Sequence, residues 1–558
     1  MITSTKTMAF LAPLPHFLAR LSSLRASRWF FLGLSSLAAS FTVGLAVPTM
    51  AAERITFQLG PIQRSIAVED LETFAAEGRL ENEVGFLLRR FTPARREQIR
   101  QALQAPLEGI DPIVLSQFSY TQSGEVLFQE VGEVIQTESG QNGFKSLRGA
   151  ALLTATQDES FTLLGFLRQL PTDMRVDVAA LLRRVRLANT VLAETRAAVA
   201  AIEAESGAIA TTTPLDLSAF PDLRLAGSTP YSQQTVEFYD AARDRSLTTD
   251  LYLPQQPGEI PVIIISNGLG ARRDRFQELA QHLASHGFAV VVPDHPGSDR
   301  DRLQDFYAGL YRENFEATEY LERPRDISFL LDELTRQQVE DGENGGDRLN
   351  LDRVAVFGYS FGGSTALSLA GATLDYDHLQ TSCTADNALF NISRLYQCRA
   401  LELPAATLAE PVADDRITSL YLYFPFGRSL FGETGIGQVK VPVFWQATDL
   451  DILTPMLDEH LPTYGWLTTP DRYLAVTRGL PHARITLDVL RQLTPIRDEW
   501  PRLREISVAY QNAMTVAFFQ TYLAEDERYR PLLHPDYAEA LTEDPYPLSL
   551  VRSLPPFP

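Results

Sequence analysis

Gly358-Tyr359-Ser360-Phe361-Gly362 places a serine midway between two glycines, behind the apolar run Val354-Ala355-Val356-Phe357. A small-residue stretch, Gly363-Ser364-Thr365-Ala366-Leu367-Ser368-Leu369-Ala370, follows. The pattern reads as strand, sharp turn, helix. The glycines let neighbouring backbone approach while the serine sits in a strained turn, its Oγ exposed at the start of the helix. That placement suits attack on a carbonyl. A pentapeptide recurs by chance in a chain of 558 residues, so partners in the right order must carry the assignment.

Such a nucleophile needs backbone amides to receive an oxyanion, an imidazole to take its proton, and a carboxylate to hold that imidazole. One amide is that of Phe361, which follows the serine. Pro261-Val262-Ile263-Ile264-Ile265-Ser266 reads as a buried strand ending in Asn267-Gly268-Leu269-Gly270, whose glycines allow the loop to turn its amides inward; Leu269 N–H is the expected second donor. Val441 to Ala447 is strand-like and leads into Thr448-Asp449-Leu450-Asp451-Ile452-Leu453-Thr454-Pro455, which offers two acids, Asp449 and Asp451. Elimination among the eight histidines leaves His482. His16 lies in a targeting-type segment, His282 and His286 in a helical pattern, and His295 behind an early strand. His378, His460 and His534 have no strand immediately before them. His482 alone follows both acids and stands just beyond a strand, Tyr473 to Thr477, across the turn Arg478-Gly479-Leu480-Pro481.

The order Ser360, acid, His482 is that of the α/β-hydrolases. From about residue 233 to 524 the chain resembles their platelet-activating-factor acetylhydrolase and dienelactone-hydrolase branch. The matching stretches are Ser266-Asn267-Gly268-Leu269-Gly270, Leu283-Ala284-Ser285-His286-Gly287-Phe288-Ala289-Val290 and Val292-Pro293-Asp294-His295-Pro296-Gly297-Ser298. Arg323-Pro324-Arg325-Asp326-Ile327 and Gly358-Tyr359-Ser360-Phe361-Gly362-Gly363 complete them. Relatives usually carry histidine where this chain has Asn267. The resemblance implies a mostly parallel, eight-stranded-type sheet with helices on both faces. It implies a carboxylic-ester substrate with a short or oxidised acyl chain, of the kind found in phospholipids or glycerides. Hydrolases of this type commonly place the acid four residues before the loop proline, here Pro455; this favours Asp451 over Asp449.

Around this catalytic region of 230–526, the chain is long enough for a second folded unit. Residues 1–51 carry Lys6, Arg20, Arg25 and Arg28, no acid, and an apolar run from Trp29 to Val47 ending near Pro48-Thr49-Met50-Ala51; they read as a signal peptide of an exported protein. The alternative is an uncleaved membrane anchor, because the apolar run is long for a signal. Residues 52–202 are expected to form an all-α domain. Thr92 with Pro93 and Asp111 with Pro112 read as helix starts, and Val126, Leu127, Phe128, Val131, Val134 and Ile135 recur at helical spacing. The pattern from Ser65 to Phe74 resembles the N-terminal domain of some cyanobacterial exported α/β-hydrolases. Residues 203–229 read as a linker, and 527–558, with seven prolines, as an irregular tail.

Cys383 and Cys398, the only cysteines, are expected to pair and to staple a cap insertion at about 373–416, where hydrolases of this fold insert lids; such a loop is worth about 3 kcal/mol in the chain-entropy model. Without residues 1–51 the chain has 45 basic against 70 acidic residues, a net charge of −25, which argues against nucleic acid as a partner. No cofactor or metal is expected. No histidine or second cysteine pair supplies the ligands that Cys383 and Cys398 would lack as a metal site, and Gly432-Glu433-Thr434-Gly435-Ile436-Gly437 has no framing strand and helix for a dinucleotide. The expected partner is a small-molecule or lipid ester, with membrane or protein contact through the N-terminal domain open, as is the oligomeric state.

Overall fold

The computed structural model describes residues 52–107, 110–157, 160–210, 215–341, 348–384, 390–483 and 499–556. The expected signal segment lies outside them.

Nine strands form the central sheet: β5 (Tyr231–Asp240), β6 (Arg245–Pro254), β7 (Glu259–Ser266), β8 (Ala289–Pro293), β9 (Arg348–Tyr359), β10 (Ile417–Tyr423), β11 (Val443–Leu450), β12 (Arg472–Pro481) and β13 (Leu548–Val551). Their order is β13-β12-β11-β10-β9-β7-β8-β6-β5. The run from β8 through β12 is parallel, whereas β5, β6 and β13 pair antiparallel at the edges. The parallel strands are buried on both faces, which is why β7, β8 and β10 read as near-continuous apolar runs rather than alternating ones. Two apolar layers cover the sheet. One holds Val262, Ile264, Val354 and Val356; the other holds Ile263, Ile265, Ala355 and Phe357, as the two-residue side-chain period requires. Helices Glu319–Asp341 and Phe361–Leu369 serve the first face; Gln277–Ser285 and Trp500–Tyr522 serve the second.

The N-terminal segment is not all-α. Four short strands, β1 (Arg54–Leu59), β2 (Ile62–Ala67), β3 (Ile135–Thr137) and β4 (Met174–Asp177), form a sheet of order β2-β1-β4-β3 among the helices. Ile55, Phe57 and Leu59 alternate with polar residues, and Gly60 takes the positive φ of 58° that turns the chain between β1 and β2. The helix starts lie where their chemistry puts them: Thr92 Oγ1 accepts from Arg95 N at 3.3 Å, and Asp111 Oδ1 accepts from Ile113 N and Val114 N at 2.8 and 3.0 Å.

Residue 203, the expected start of the linker, falls inside a helix that runs from Val178 to Ala210. That helix buries Ala198, Val199 and Ile202 in the same apolar layer as β7 and β9, and Ser206 Oγ accepts from Leu550 N at 3.0 Å. The tail is likewise ordered: Pro535–Leu541 is helical, and all four residues of β13 are buried against β12. Between helix Phe361–Leu369 and β10 lie helices Tyr376–Cys383 and Ile392–Gln397, joined by a Cys383–Cys398 disulfide. Ser123 of the N-terminal unit donates to Leu395 O of this insertion at 3.4 Å.

Candidate functional site

The serine turn is where the fold is tightest. Ser360 has φ 52° and ψ −114° and stands at the head of helix Phe361–Leu369, and its N–H donates to Tyr423 O at the end of β10, 3.0 Å away. A Cβ on Gly358 would lie 2.4 Å from Gly362 O, and one on Gly362 would lie 1.9 Å from Ser266 O. Neither position has room for a side chain. The strained φ of a non-glycine residue is held by this crowding, and it sets the serine half-exposed above the C-terminal ends of the parallel strands.

The loop after β7 packs directly against it. A Cβ on Gly268 would meet Ser360 Cβ at 3.3 Å, so the backbone just before Leu269 passes beside Ser360, and Gly270 N donates to Ser298 O at 2.8 Å. Arg323, from the Arg-Pro-Arg-Asp stretch, braces both walls of this corner. Its Nη2 donates to Asn267 O at 2.7 Å, and its guanidinium lies 4.4 Å from the Phe361 ring centroid. Full burial pulls Arg323 down to about 10. Asp326 of the same stretch accepts from Arg243, Arg245 and His295, and His295 Nε2 lies 3.1 Å from Ser266 Oγ. The stretch thus ties a helix, β6 and the loop after β7 into one buried ionic cluster behind the serine.

His482 and Asp451 meet across the loops that follow β12 and β11. His482 Nδ1 is 2.6 Å from Asp451 Oδ2, and Asp451 Oδ1 accepts from Leu453 N and Thr454 N at 2.8 and 2.9 Å. Burial pushes the Asp451 carboxyl up, but the charge and hydrogen bond of His482, with His460 nearby, outweigh it and hold the group well below the usual carboxylate range. Asp449 faces elsewhere: its Oδ1 accepts from Gly479 N at 2.7 Å. The imidazole is flanked by the Tyr359 and Phe424 rings, each 5.3 Å away centroid to centroid, and its main-chain carbonyl accepts from Tyr359 Oη. Tyr359 precedes the serine, so elbow and histidine are locked to each other.

Sequence reasoning missed Thr454, His460 and Trp445, all buried around Asp451. Thr454 Oγ1 donates to Asp451 Oδ2 and lies 3.1 Å from His460 Nε2, and Trp445 Nε1 donates to His460 Nδ1 at 3.1 Å. His460 has no strand before it; its nine-residue distance from Asp451, with a threonine between, was the available signal. A cavity of about 150 Å³ borders His482, Tyr423, Leu480 and Leu503; Ser360 does not line it. Among the described residues no three His, Cys, Asp or Glu side chains converge as a metal site, and no helix is long and apolar enough to cross a membrane.

Residues 51–177 match the model of a family described as alpha/beta hydrolase of unknown function (DUF1400). Residues 261–394 match the model described as alpha/beta hydrolase fold. The second match takes in Leu269, Phe361 and Ser360 and ends before Asp451 and His482. Sheet order, elbow and these two matches identify the chain as an α/β-hydrolase scaffold.

Proposed function

We propose that the chain is an exported serine hydrolase of carboxylic esters. The observation that carries the reading is the 2.6 Å contact between His482 Nδ1 and Asp451 Oδ2, with the His482 ring packed on Tyr359, the residue before a serine held at φ 52° on a strand-to-helix turn. Ser360 Oγ attacks the ester carbonyl while His482 Nε2 takes its proton. Asp451 keeps Nδ1 as the protonated nitrogen and stabilises the imidazolium. The Leu269 and Phe361 amides receive the oxyanion. Collapse of that intermediate expels the alcohol, protonated by His482, and leaves an acyl-serine; water, deprotonated by His482, then releases the acid.

The short or oxidised acyl chain rests on resemblance to the platelet-activating-factor acetylhydrolase branch. Export rests on the basic and apolar N-terminal segment, supported by the Cys383–Cys398 disulfide, since such bonds persist in oxidising compartments.

The test is hydrolysis of p-nitrophenyl esters from acetate to palmitate, with fluorophosphonate labelling and Ser360→Ala as control. Turnover and labelling that both vanish in Ser360→Ala are expected, with the optimum among short chains. Turnover that survives the substitution overturns the serine mechanism; a wild-type protein that neither turns over nor labels makes the scaffold a binding protein.

A further inference from the structure

Asp451 receives a second line of donors besides His482, and its last member touches both groups: Thr454 Oγ1 lies 3.3 Å from His482 Nδ1. Trp445, on β11, is fully buried, and its indole N–H can only donate. It points at His460 Nδ1, 3.1 Å away, so that nitrogen must be the acceptor and the proton must sit on Nε2. Nε2 in turn lies 3.1 Å from Thr454 Oγ1 and 3.8 Å from Asp451 Oδ2. The Thr454 hydroxyl has one hydrogen, and Asp451 Oδ2, an acceptor when ionised, takes it. The direction of each bond along this line is then set: indole N–H to His460 Nδ1, His460 Nε2–H to Thr454 Oγ1, Thr454 O–H to Asp451.

We propose that Trp445, His460 and Thr454 form a positioning relay that holds the Asp451 carboxylate in the orientation His482 needs, with His460 fixed as the neutral Nε2–H tautomer. The proposal rests on the reading of Ser360, His482 and Asp451 as a catalytic triad. The relay explains why a fully buried histidine stands beside an aspartate that already has an imidazole partner. A second imidazolium there would compete with His482 for Asp451. The indole prevents this, because protonating Nδ1 would set one N–H against another. Other charged groups on the same turn are engaged elsewhere: Glu459 accepts from Gly427 N, Arg428 N and Gln397 Nε2, and Asp458 pairs with Arg394 and Arg428.

The decisive measurement is the tautomer of His460, read from side-chain ¹⁵N shifts of histidine-labelled full-length protein at neutral pH. A neutral Nε2–H ring is expected, losing that single form in Trp445→Phe; a neutral Nδ1–H ring or an imidazolium in the wild type overturns the relay. Kinetics give the second readout. His460→Leu removes the donor to Thr454 and should lower kcat about tenfold with KM little changed. His460→Gln can accept from the indole and donate to Thr454, so it should recover most of that loss. Equal losses in the Leu and Gln variants would reduce His460 to packing, and wild-type kcat in His460→Leu would make the relay idle; either sinks the proposal. Absent turnover and labelling in the wild type would instead refute the triad, and the tautomer would still decide the hydrogen-bond direction.

Discussion

Asp451 and Asp299 are both buried carboxyls, and their surroundings push them in opposite directions. Asp451 is held low by His482 and its other donors. Asp299 caps helix Arg300–Tyr307 by accepting from Arg302 N at 2.9 Å, yet burial, helped by the charges of Asp294, Asp301 and Glu319, pushes it up to about 7. A carboxyl raised in the folded state binds its proton more tightly there than in the unfolded chain, where it titrates near about 4. Its contribution to stability therefore falls as pH rises from about 4 to about 7. Asparagine caps a helix as well as aspartate does and carries no charge. Asp299→Asn should therefore raise the thermal midpoint at pH 8 and lose most of that advantage at pH 5. Asp451, whose contribution has the opposite sign and is lost only as pH falls below the unfolded value, is common to both proteins and cancels. Parallel midpoint-against-pH curves for the two proteins would mean that Asp299 titrates normally.

At the scale of elements, the elbow was legible because its determinants are local: a β-branched run, two glycines and a small-residue helix within about 17 positions. Its tightness also makes it fragile. Gly362→Ala places a methyl 1.9 Å from Ser266 O, and all its nearest neighbours are backbone, so β7 and helix Phe361–Leu369 must separate. The expected cost is about 3 kcal/mol, the upper end for overpacking, together with loss of fluorophosphonate labelling; urea denaturation and labelling rate measure the two. A labelled, fully stable Gly362→Ala would show that the turn can relax. What the sequence concealed was set by contacts between distant segments. β3 and β4 are three and four residues long and acquire a strand conformation only by pairing with each other and with β1. The run Glu203 to Ala210 read as the start of a linker because many of its residues are small; alanine is also the best helix former, and this stretch continues the helix that closes on the sheet. His460 was set aside for want of a preceding strand, although its Nε2 lies 3.8 Å from Asp451 Oδ2, a contact that no local pattern announces.

For the molecule as a whole, helix Val178–Ala210 is the element that decides whether the two family-model regions behave as one body. At 33 residues it is about 50 Å long, enough to leave β4 and reach the far edge of the central sheet. Its Ile202 is fully buried with the sheet residues, and the described residues form one compact unit rather than a helical domain tethered to a separate hydrolase fold. The two regions should therefore unfold together. Tryptophan offers a clean reporter, since of the four tryptophans Trp445, Trp466 and Trp500 lie in the hydrolase half and Trp29 in the N-terminal segment. Ile202→Ala removes buried methyl groups from a helix outside that half and should cost about 2 to 5 kcal/mol. The tryptophan-reported midpoint should fall by the same interval as the far-ultraviolet midpoint, in a single transition. If the hydrolase half were an autonomous domain, the substitution would lower only the helical signal and leave the tryptophan transition where it stood. Coincident shifts would show that the N-terminal segment is a structural part of the hydrolase fold, and that cutting the chain before residue 230 strips one edge of its sheet bare.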